Sequence, residues 1–301
     1  MTSGFLVVDK QGGMTSHDVV AKARKELNTR KIGHAGTLDP MATGVLVLGV
    51  GDGTRLLQYI TAGIKAYDAT VKLGQLTSTD DKEGEITQVA DAALLAQITD
   101  QQIESAISHL RGDIMQVPSS VSAIKVDGQR AYAKVRGGEA VKLQARPVRI
   151  SQFEVTGSIR REPGSIDLDV VVECSSGTYI RALARDLGSN LSVGGHLISL
   201  RRTRIGRYDI RDAKTIGQLS PGSLQITPLV QAAQSQFAVR HLSQQDQIDL
   251  RHGKRLTLSE ADKANLPKDQ PIAGVFQSAQ EVDAQLVAML ERSGGQLKST
   301  V

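Results

Sequence analysis

Gly33-His34-Ala35-Gly36-Thr37-Leu38-Asp39-Pro40-Met41-Ala42-Thr43-Gly44 runs directly into Val45-Leu46-Val47-Leu48-Gly49-Val50. The first stretch sets three glycines and one proline around a single carboxylate. Glycine permits tight turns and close backbone approach, and Pro40 fixes the bend just past Asp39. The second stretch is an apolar run of strand length, the pattern of a strand buried in a core. A carboxylate on a tight loop anchored to a rigid strand is presented, not merely solvated. Local sequence alone leaves two readings for Asp39, a turn cap or a reactive group.

The chain on either side reads as mixed α and β. Phe5 to Val8 is a short strand, and Ser16 is placed to cap a helix running to about Leu27. Tyr67, Ala69, Val71 and Leu73 alternate with polar residues, as do Ile166, Leu168, Val170, Val172 and Cys174; both are strands with one apolar face. Thr99 and Gln102 make a capping box ahead of Ile103, Ala106, Ile107 and Leu110, a helix face. Strands outnumber crossover helices, which favours an α+β fold built on a mixed, mostly antiparallel sheet with flanking helices. Tyr179 to Leu187 reads as a helix with Thr178 as its cap and Gly188 as its stop. Arg181 then falls in the first turn, where a cation opposes the helix dipole by roughly 0.3–1 kcal/mol. A rule broken without local gain marks a candidate site. An ion pair from Arg181 to Asp39 would account for it.

Composition bounds the function. The chain has 301 residues, a net charge of +4, one cysteine and no tryptophan. The mild basic excess permits a nucleic-acid partner without demanding one. A lone Cys174 excludes an internal disulfide, argues against a structural zinc site, and reads as a small core residue. The absence of a long apolar run argues against a secretion signal or a membrane span, so the expected setting is cytoplasmic. Asp80-Asp81-Lys82-Glu83-Gly84-Glu85 lacks calcium-loop spacing and reads as a solvated turn. Gly49, Gly51 and Gly53 lack dinucleotide-binding spacing.

Between Pro118 and Pro147 the balance shifts. Lys125, Arg130, Lys134, Arg136, Lys142 and Arg146 face only Asp127 and Glu139, with Gly137-Gly138 as a hinge candidate. Such a segment is either a solvated insertion or a basic flap that closes on phosphates. Further on, Ser220 to Gln236 reads as a linker. Ser243 and Asp246 open a short helix ended by Gly253, and apolar runs follow near Ile272 to Phe276 and Ala284 to Leu290.

Three segments, in order, carry a resemblance. His34-Ala35-Gly36-Thr37-Leu38-Asp39-Pro40 is similar to the active-site motif of the TruB family of tRNA pseudouridine synthases. Val8-Asp9-Lys10-Gln11-Gly12-Gly13-Met14-Thr15-Ser16 resembles that family's opening motif, with Gln11 where proline is usual. Gly177-Thr178-Tyr179-Ile180-Arg181-Ala182-Leu183-Ala184-Arg185-Asp186-Leu187-Gly188 resembles a third. The likeness is strong over about Gly4 to Ile205. It implies a sheet of the pseudouridine synthase type across residues 1–232, a basic flap insertion at about 118–147, and a small β-rich, PUA-like RNA-binding domain over 237–301.

The resemblance also implies chemistry. Asp39, Tyr67 and Arg181 would be catalytic: Asp39 as nucleophile or base, Arg181 as the cation that keeps it ionised, and Tyr67 stacked on the target base and able to move a proton late in the reaction. His34 would take the place vacated by a flipped uridine. Leu200 would wall the pocket, Tyr179 would hydrogen-bond near the site, and Lys10 would buttress it. Arg130, Lys134 and Arg136 of the flap would bind substrate. Cofactor and metal are expected to be none, since uridine and pseudouridine contain the same atoms. The partner would be the T-arm stem-loop of tRNA, bound by a monomer without another protein. Two other readings stay open: a tRNA-binding or tRNA-folding chaperone with the same fold, and a guide-dependent synthase like dyskerin.

Overall fold

The computed structural model describes residues 3–120, 143–218, 226–278 and 283–300, with two further two-residue strands, Lys125–Val126 and Gln129–Arg130. The main strands are β1 (Gly4–Lys10), β2 (Ile32–Ala35), β3 (Thr43–Val50), β4 (Lys65–Leu73), β5 (Gly112–Gln116), β6 (Arg146–Val155), β7 (Ser165–Cys174) and β8 (Gly195–Ile205). In space they run β1-β3-β8-β4-β7-β6-β5, with β2 paired to β3. Along this path only β3 and β8 pair in parallel; the others are antiparallel. The expected α+β fold with a mostly antiparallel sheet is what forms.

The apolar run at Val45–Val50 has no polar alternation because both faces of β3 are covered. Val45 and Val47 share a core with Phe5, Val7, Ala232, Ala233 and Met289. Leu46 and Leu48 face the other way, with Leu6, Val8, Val19, Val20 and Ala23 of helix α1 (Ser16–Glu26). β4 and β7 pair residue for residue from Leu73↔Ile166 to Lys65↔Cys174. Their in-phase apolar residues pack with helix α2 (Asp100–Ser108) and helix α3 (Ile180–Asn190) into the largest core. Thr99 and Gln102 form the expected capping box of α2.

Four local expectations are corrected. Thr15, not Ser16, caps α1, in a capping box with Asp18. Ser16 is buried and bonds Leu38 instead. α3 starts one residue late, capped by Tyr179 without a side-chain bond, and Thr178 donates to the Ser175 carbonyl. Gly188 does not end α3: the helix continues to Asn190. The glycine is needed because a Cβ there would lie 2.1 Å from the Gly194 carbonyl carbon. Of the expected linker, residues 220–225 lie outside the described residues, and Leu229 to Gln236 form a helix, α4, whose Ala232 and Ala233 join the β1–β3 core. Beyond it lies a five-stranded sheet in which Ile272–Phe276 and Gln285–Ser293 are central. Ser243 and Asp246 cap the Gln244–Arg251 helix as expected.

Candidate active site

The Asp39 loop is tied down from both flanks. Ser16 exchanges hydrogen bonds with Leu38, its hydroxyl accepting from the amide at 3.0 Å and donating to the carbonyl at 3.2 Å. The Gly13 amide and Lys10 Nζ both donate to the Pro40 carbonyl, at 2.9 and 3.2 Å. Lys10 is fully buried, and its Nζ also donates to the Gln11 and Met14 carbonyls. Burial pushes its ammonium down to about 8. Lys10 thus joins the opening motif to the Asp39 loop from beneath.

Arg181 approaches from α3. Its Nε lies 3.0 Å from Asp39 Oδ2, the ion pair expected from its awkward helical position. Arg181 is only 5% exposed. A second carboxylate completes the arrangement: Arg181 Nη1 lies 3.1 Å from Asp81 Oδ2 and donates to the Thr79 carbonyl at 2.9 Å. The acidic stretch is therefore not simply a solvated turn. Asp81 is 3% exposed, and its Oδ1 accepts from Thr79 Oγ1 at 2.6 Å and from the Glu83 amide at 3.0 Å. A bulge in β8 after Leu197 lets Leu197 bond the Asp80 carbonyl and the Lys82 amide, which docks this loop on the sheet. Asp80 receives Arg185, which also pairs with Asp186 and donates to the Val117 carbonyl.

Two negative charges therefore share one guanidinium. Burial pushes the Asp39 carboxyl above the ordinary carboxylate range, Arg181 opposes this, and Asp81 adds to the upward push. The net direction is upward even with Arg181 in place. The Asp39 side chain remains 37% exposed, open to a cleft of about 320 Å³. Leu200, Tyr67, Tyr179 and Arg181 line that cleft with Asp39, so five of the expected site residues converge. Tyr67 is 6% exposed, on the same β4 face as Ala69, Val71 and Leu73. Burial raises its phenol. The Tyr179 backbone is held at both ends by the buried Gln116 amide, at 2.9 and 3.1 Å.

His34 does not line this cleft. It sits on β2 just ahead of the loop, its ring edge-on to His17 at 5.4 Å. Burial, His17 and Arg202 together hold it down at about 4, so it is neutral at neutral pH. Arg130 lies on the Gln129–Arg130 strand paired with Lys125–Val126. Lys134 and Arg136 lie outside the described residues.

Sequence reasoning missed three groups. Asp81 had a usable signal: a guanidinium carries five donors, and one carboxylate cannot satisfy them. Lys65 had another, being a lysine in phase with the apolar stripe of β4. It lines the cleft, donates to the Thr61 and Gly63 carbonyls, and is pushed down to about 8 by burial. Arg202 had none, because a bulge beside Thr203 decides which arginines of Arg201-Arg202-Thr203-Arg204 turn inward. Arg201 pairs with Asp9, Arg204 pairs with Glu173, and Arg202 is buried at the cleft floor.

Comparison with known proteins agrees with this geometry. Residues 24–180 match the family described as TruB family pseudouridylate synthase (N terminal domain), and residues 181–226 match tRNA pseudouridylate synthase B C-terminal domain. The chain is 52% identical to the tRNA pseudouridine synthase B of Leifsonia xyli subsp. xyli, across 99% of this chain and 96% of the relative. It is 49% identical to that of Mycolicibacterium paratuberculosis, across 99% and 96%. Its fold resembles a chain of a Cbf5-Nop10-Gar1 complex, with a TM-score of 0.69, 22% identity and coverage of 99% and 84%. A chain of an H/ACA RNP bound to a substrate RNA containing 2'-deoxyuridine gives 0.67, with 22% identity and coverage of 98% and 83%. A buried sheet that presents one pinned carboxylate, together with these full-length likenesses, places the chain in the TruB family: it is a pseudouridine synthase.

Proposed function

We propose that this protein converts uridine 55 in the T-loop of tRNA to pseudouridine, as a monomer in the cytoplasm and without a protein partner. The observation that carries the reading is the Asp39–Arg181 pair at 3.0 Å, opening on a cleft walled by Tyr67 and Leu200. The reaction breaks the bond from N1 to the sugar, turns the base, and joins C5 to the same sugar carbon. Atoms are conserved. Asp39 serves as nucleophile or base, and its ion pair with Arg181 favours the charged form against burial. Tyr67 stacks on the base and Leu200 closes the wall opposite. A uridine in a folded loop must leave its stack, at about a few kcal/mol, and His34, neutral and flat beside the loop, fills the vacated place. Arg130, Lys134 and Arg136 neutralise phosphates, and residues 237–301 serve as a PUA-like RNA-binding domain.

The test is conversion of an isolated T-arm hairpin by purified protein alone, read by mass spectrometry after cyanoethylation of pseudouridine. Product at the position of uridine 55, and none when that uridine is replaced, is the expected result. Product elsewhere would overturn the site assignment. Activity only with an added RNA would favour a guide-dependent enzyme. Tight T-arm binding without product would favour a chaperone.

A further inference from the structure

Among the described residues, Lys65, Arg181 and Arg202 line the cleft against a single carboxylate, Asp39. Asp39 is taken by Arg181. Lys65 and Arg202 are buried, at 7% and 1% exposure, and neither belongs to any ion pair formed among the described residues. Both are held by backbone oxygens alone. Lys65 Nζ donates to the Thr61 and Gly63 carbonyls at 2.7 and 2.9 Å. Arg202 Nε and Nη2 donate to the Val45 and Gly36 carbonyls at 2.8 Å. The two cations flank one point: a Cβ at Gly36 would lie 3.3 Å from Arg202 Nη1 and 3.6 Å from Lys65 Cε.

Carbonyls offer partial charges, and a buried full charge without a counter-ion is costly. Two such charges side by side suit an anion that arrives with the substrate. An ammonium has three donors, so Lys65 keeps one beyond its two carbonyls. Its place along the sheet says which part of the substrate comes near. Lys65 and Tyr67 share one face of β4, about 7 Å apart along the strand. Arg202 stands opposite Tyr67, and Leu200 opposite Ala69. A base lying on Tyr67 thus has Leu200 toward one end and the cations toward the other. A flipped base enters such a floor, while the phosphates stay with the strand outside.

We propose that Lys65 and Arg202 form an anion site for the detached uracil ring, their N–H groups directed at its ring oxygens between bond breaking and bond making. This rests on the proposed isomerisation. When the bond from N1 to the sugar breaks, its electron pair stays on the ring and the charge spreads over N1, O2 and O4. The sugar carbon joins Asp39 or its neighbour gives Asp39 a proton. The ring turns, C5 attacks the sugar carbon, and Asp39 departs or returns the proton. C5 then loses its proton to water and N1 gains one. Donors fixed where charge develops stabilise it without reorganising, and one such donor is worth about 10²–10³ in rate.

The experiment compares two T-arm hairpins, one with pseudouridine at the target position and one with a C5-linked barbiturate ribonucleoside, a uracil-like ring ionised at neutral pH. Wild-type protein should bind the barbiturate hairpin at least about 10²-fold more tightly, as an analogue of the charged state. Lys65→Gln and Arg202→Gln should each cut that gain tenfold or more and lower single-turnover conversion of the uridine hairpin by about 10²–10³-fold, with uridine-hairpin affinity and its salt slope unchanged. Lys65→Arg should recover part of both. Equal affinity of wild type for the two hairpins overturns the proposal, and so does a gain that survives in both Gln variants. A salt slope flattened by about 0.7–0.9 with normal turnover of bound RNA would make Lys65 a phosphate contact, and overturns it too. Should the variants fail to fold, the wild-type comparison decides alone. Wild-type protein that makes no pseudouridine in the hairpin counts against the isomerisation, and the binding comparison still reads the anion site.

Discussion

Arg181→Met removes the one guanidinium that two carboxylates share. Arg181 is 6% exposed and Asp81 4% on their side chains, so the charge left behind is a buried one. Asp81 would keep only the Thr79 hydroxyl and the Glu83 amide. Removing one partner of a buried pair destabilises by about 3–5 kcal/mol. At roughly 2–4 °C per kcal/mol for a domain of this size, the melting point should fall by several degrees or more. The sign of the pH dependence follows from Asp39. Burial already raises its carboxyl, and Arg181 is the largest opposing influence. In the variant the folded value rises further above the unfolded value of about 3.9. The folded state then binds protons that the unfolded state releases, so the penalty is full above the raised value and fades as pH falls toward about 4. Denaturant midpoints at about pH 5 and about pH 8 should therefore differ more from wild type at the higher pH. Adding Asp81→Asn should restore part of the loss at the higher pH, because it removes the stranded charge. The acidic limb of the rate profile should move upward with the Asp39 value. A loss below about 1 kcal/mol, or one equal at both pH values, would refute the shared-guanidinium account.

Other variants read separate parts of the site. Asp39→Asn should abolish isomerisation while hairpin affinity survives; because the raised Asp39 value makes its charge costly above the carboxylate range, the variant should also resist denaturant better near pH 8 than wild type, the gain fading as pH falls toward about 4. Tyr67→Phe should lower turnover roughly 10²–10⁴-fold if the hydroxyl transfers a proton, and a loss under about tenfold would leave Tyr67 with stacking only. Gly44→Ala should lower the unfolding midpoint sharply: φ is +99° and a Cβ would lie 2.2 Å from the Arg202 carbonyl oxygen, against about 1–3 kcal/mol for backbone strain alone. An unchanged midpoint would contradict that close approach. Lys134→Gln with Arg136→Gln should weaken binding to any T-arm sequence alike and flatten the log–log salt slope by about 0.7–0.9 for each phosphate no longer neutralised; parallel lines of equal affinity would leave the segment a solvated insertion.

What could be read from the chain depended on whether the signal was local. The buried strand at Val45–Val50, the β4 and β7 alternations and the capping box at Thr99 are patterns within ten residues, and each forms. The Arg181–Asp39 pair joins residues far apart in sequence, yet it was legible because Arg181 broke a local rule and needed an acceptor. Asp81 was missed because the same reasoning stopped at one acceptor. Its acidic neighbours look like any hydrated turn until the β8 bulge docks the loop at Leu197. The loop caps at Thr15 and Tyr179 were misplaced by one residue for a related reason. Ser16 and Thr178 had the right hydroxyls, but the distant Leu38 backbone claimed one and the Ser175 carbonyl, three residues back, the other.

Arg202 marks the limit of such reading and explains why the Asp39 loop needs its glycines. An arginine in a basic run reads as surface. Here a one-residue bulge turns it inward, between the backbones of β3 and β4. For its guanidinium to reach both the Gly36 and Val45 carbonyls, the loop must pass close to the arginine at both ends. A Cβ at Gly36 would sit 3.3 Å from Arg202 Nη1, and one at Gly44 would meet the Arg202 backbone. The glycines that flank Asp39 are therefore spaced to admit a cation as much as to bend the chain. Loop and cation form one packed unit, so the entry and exit of the Asp39 loop are held by the same side chain. The opening stretch of sequence signals a presented acid, and the fold adds a buried cation that braces the loop carrying it.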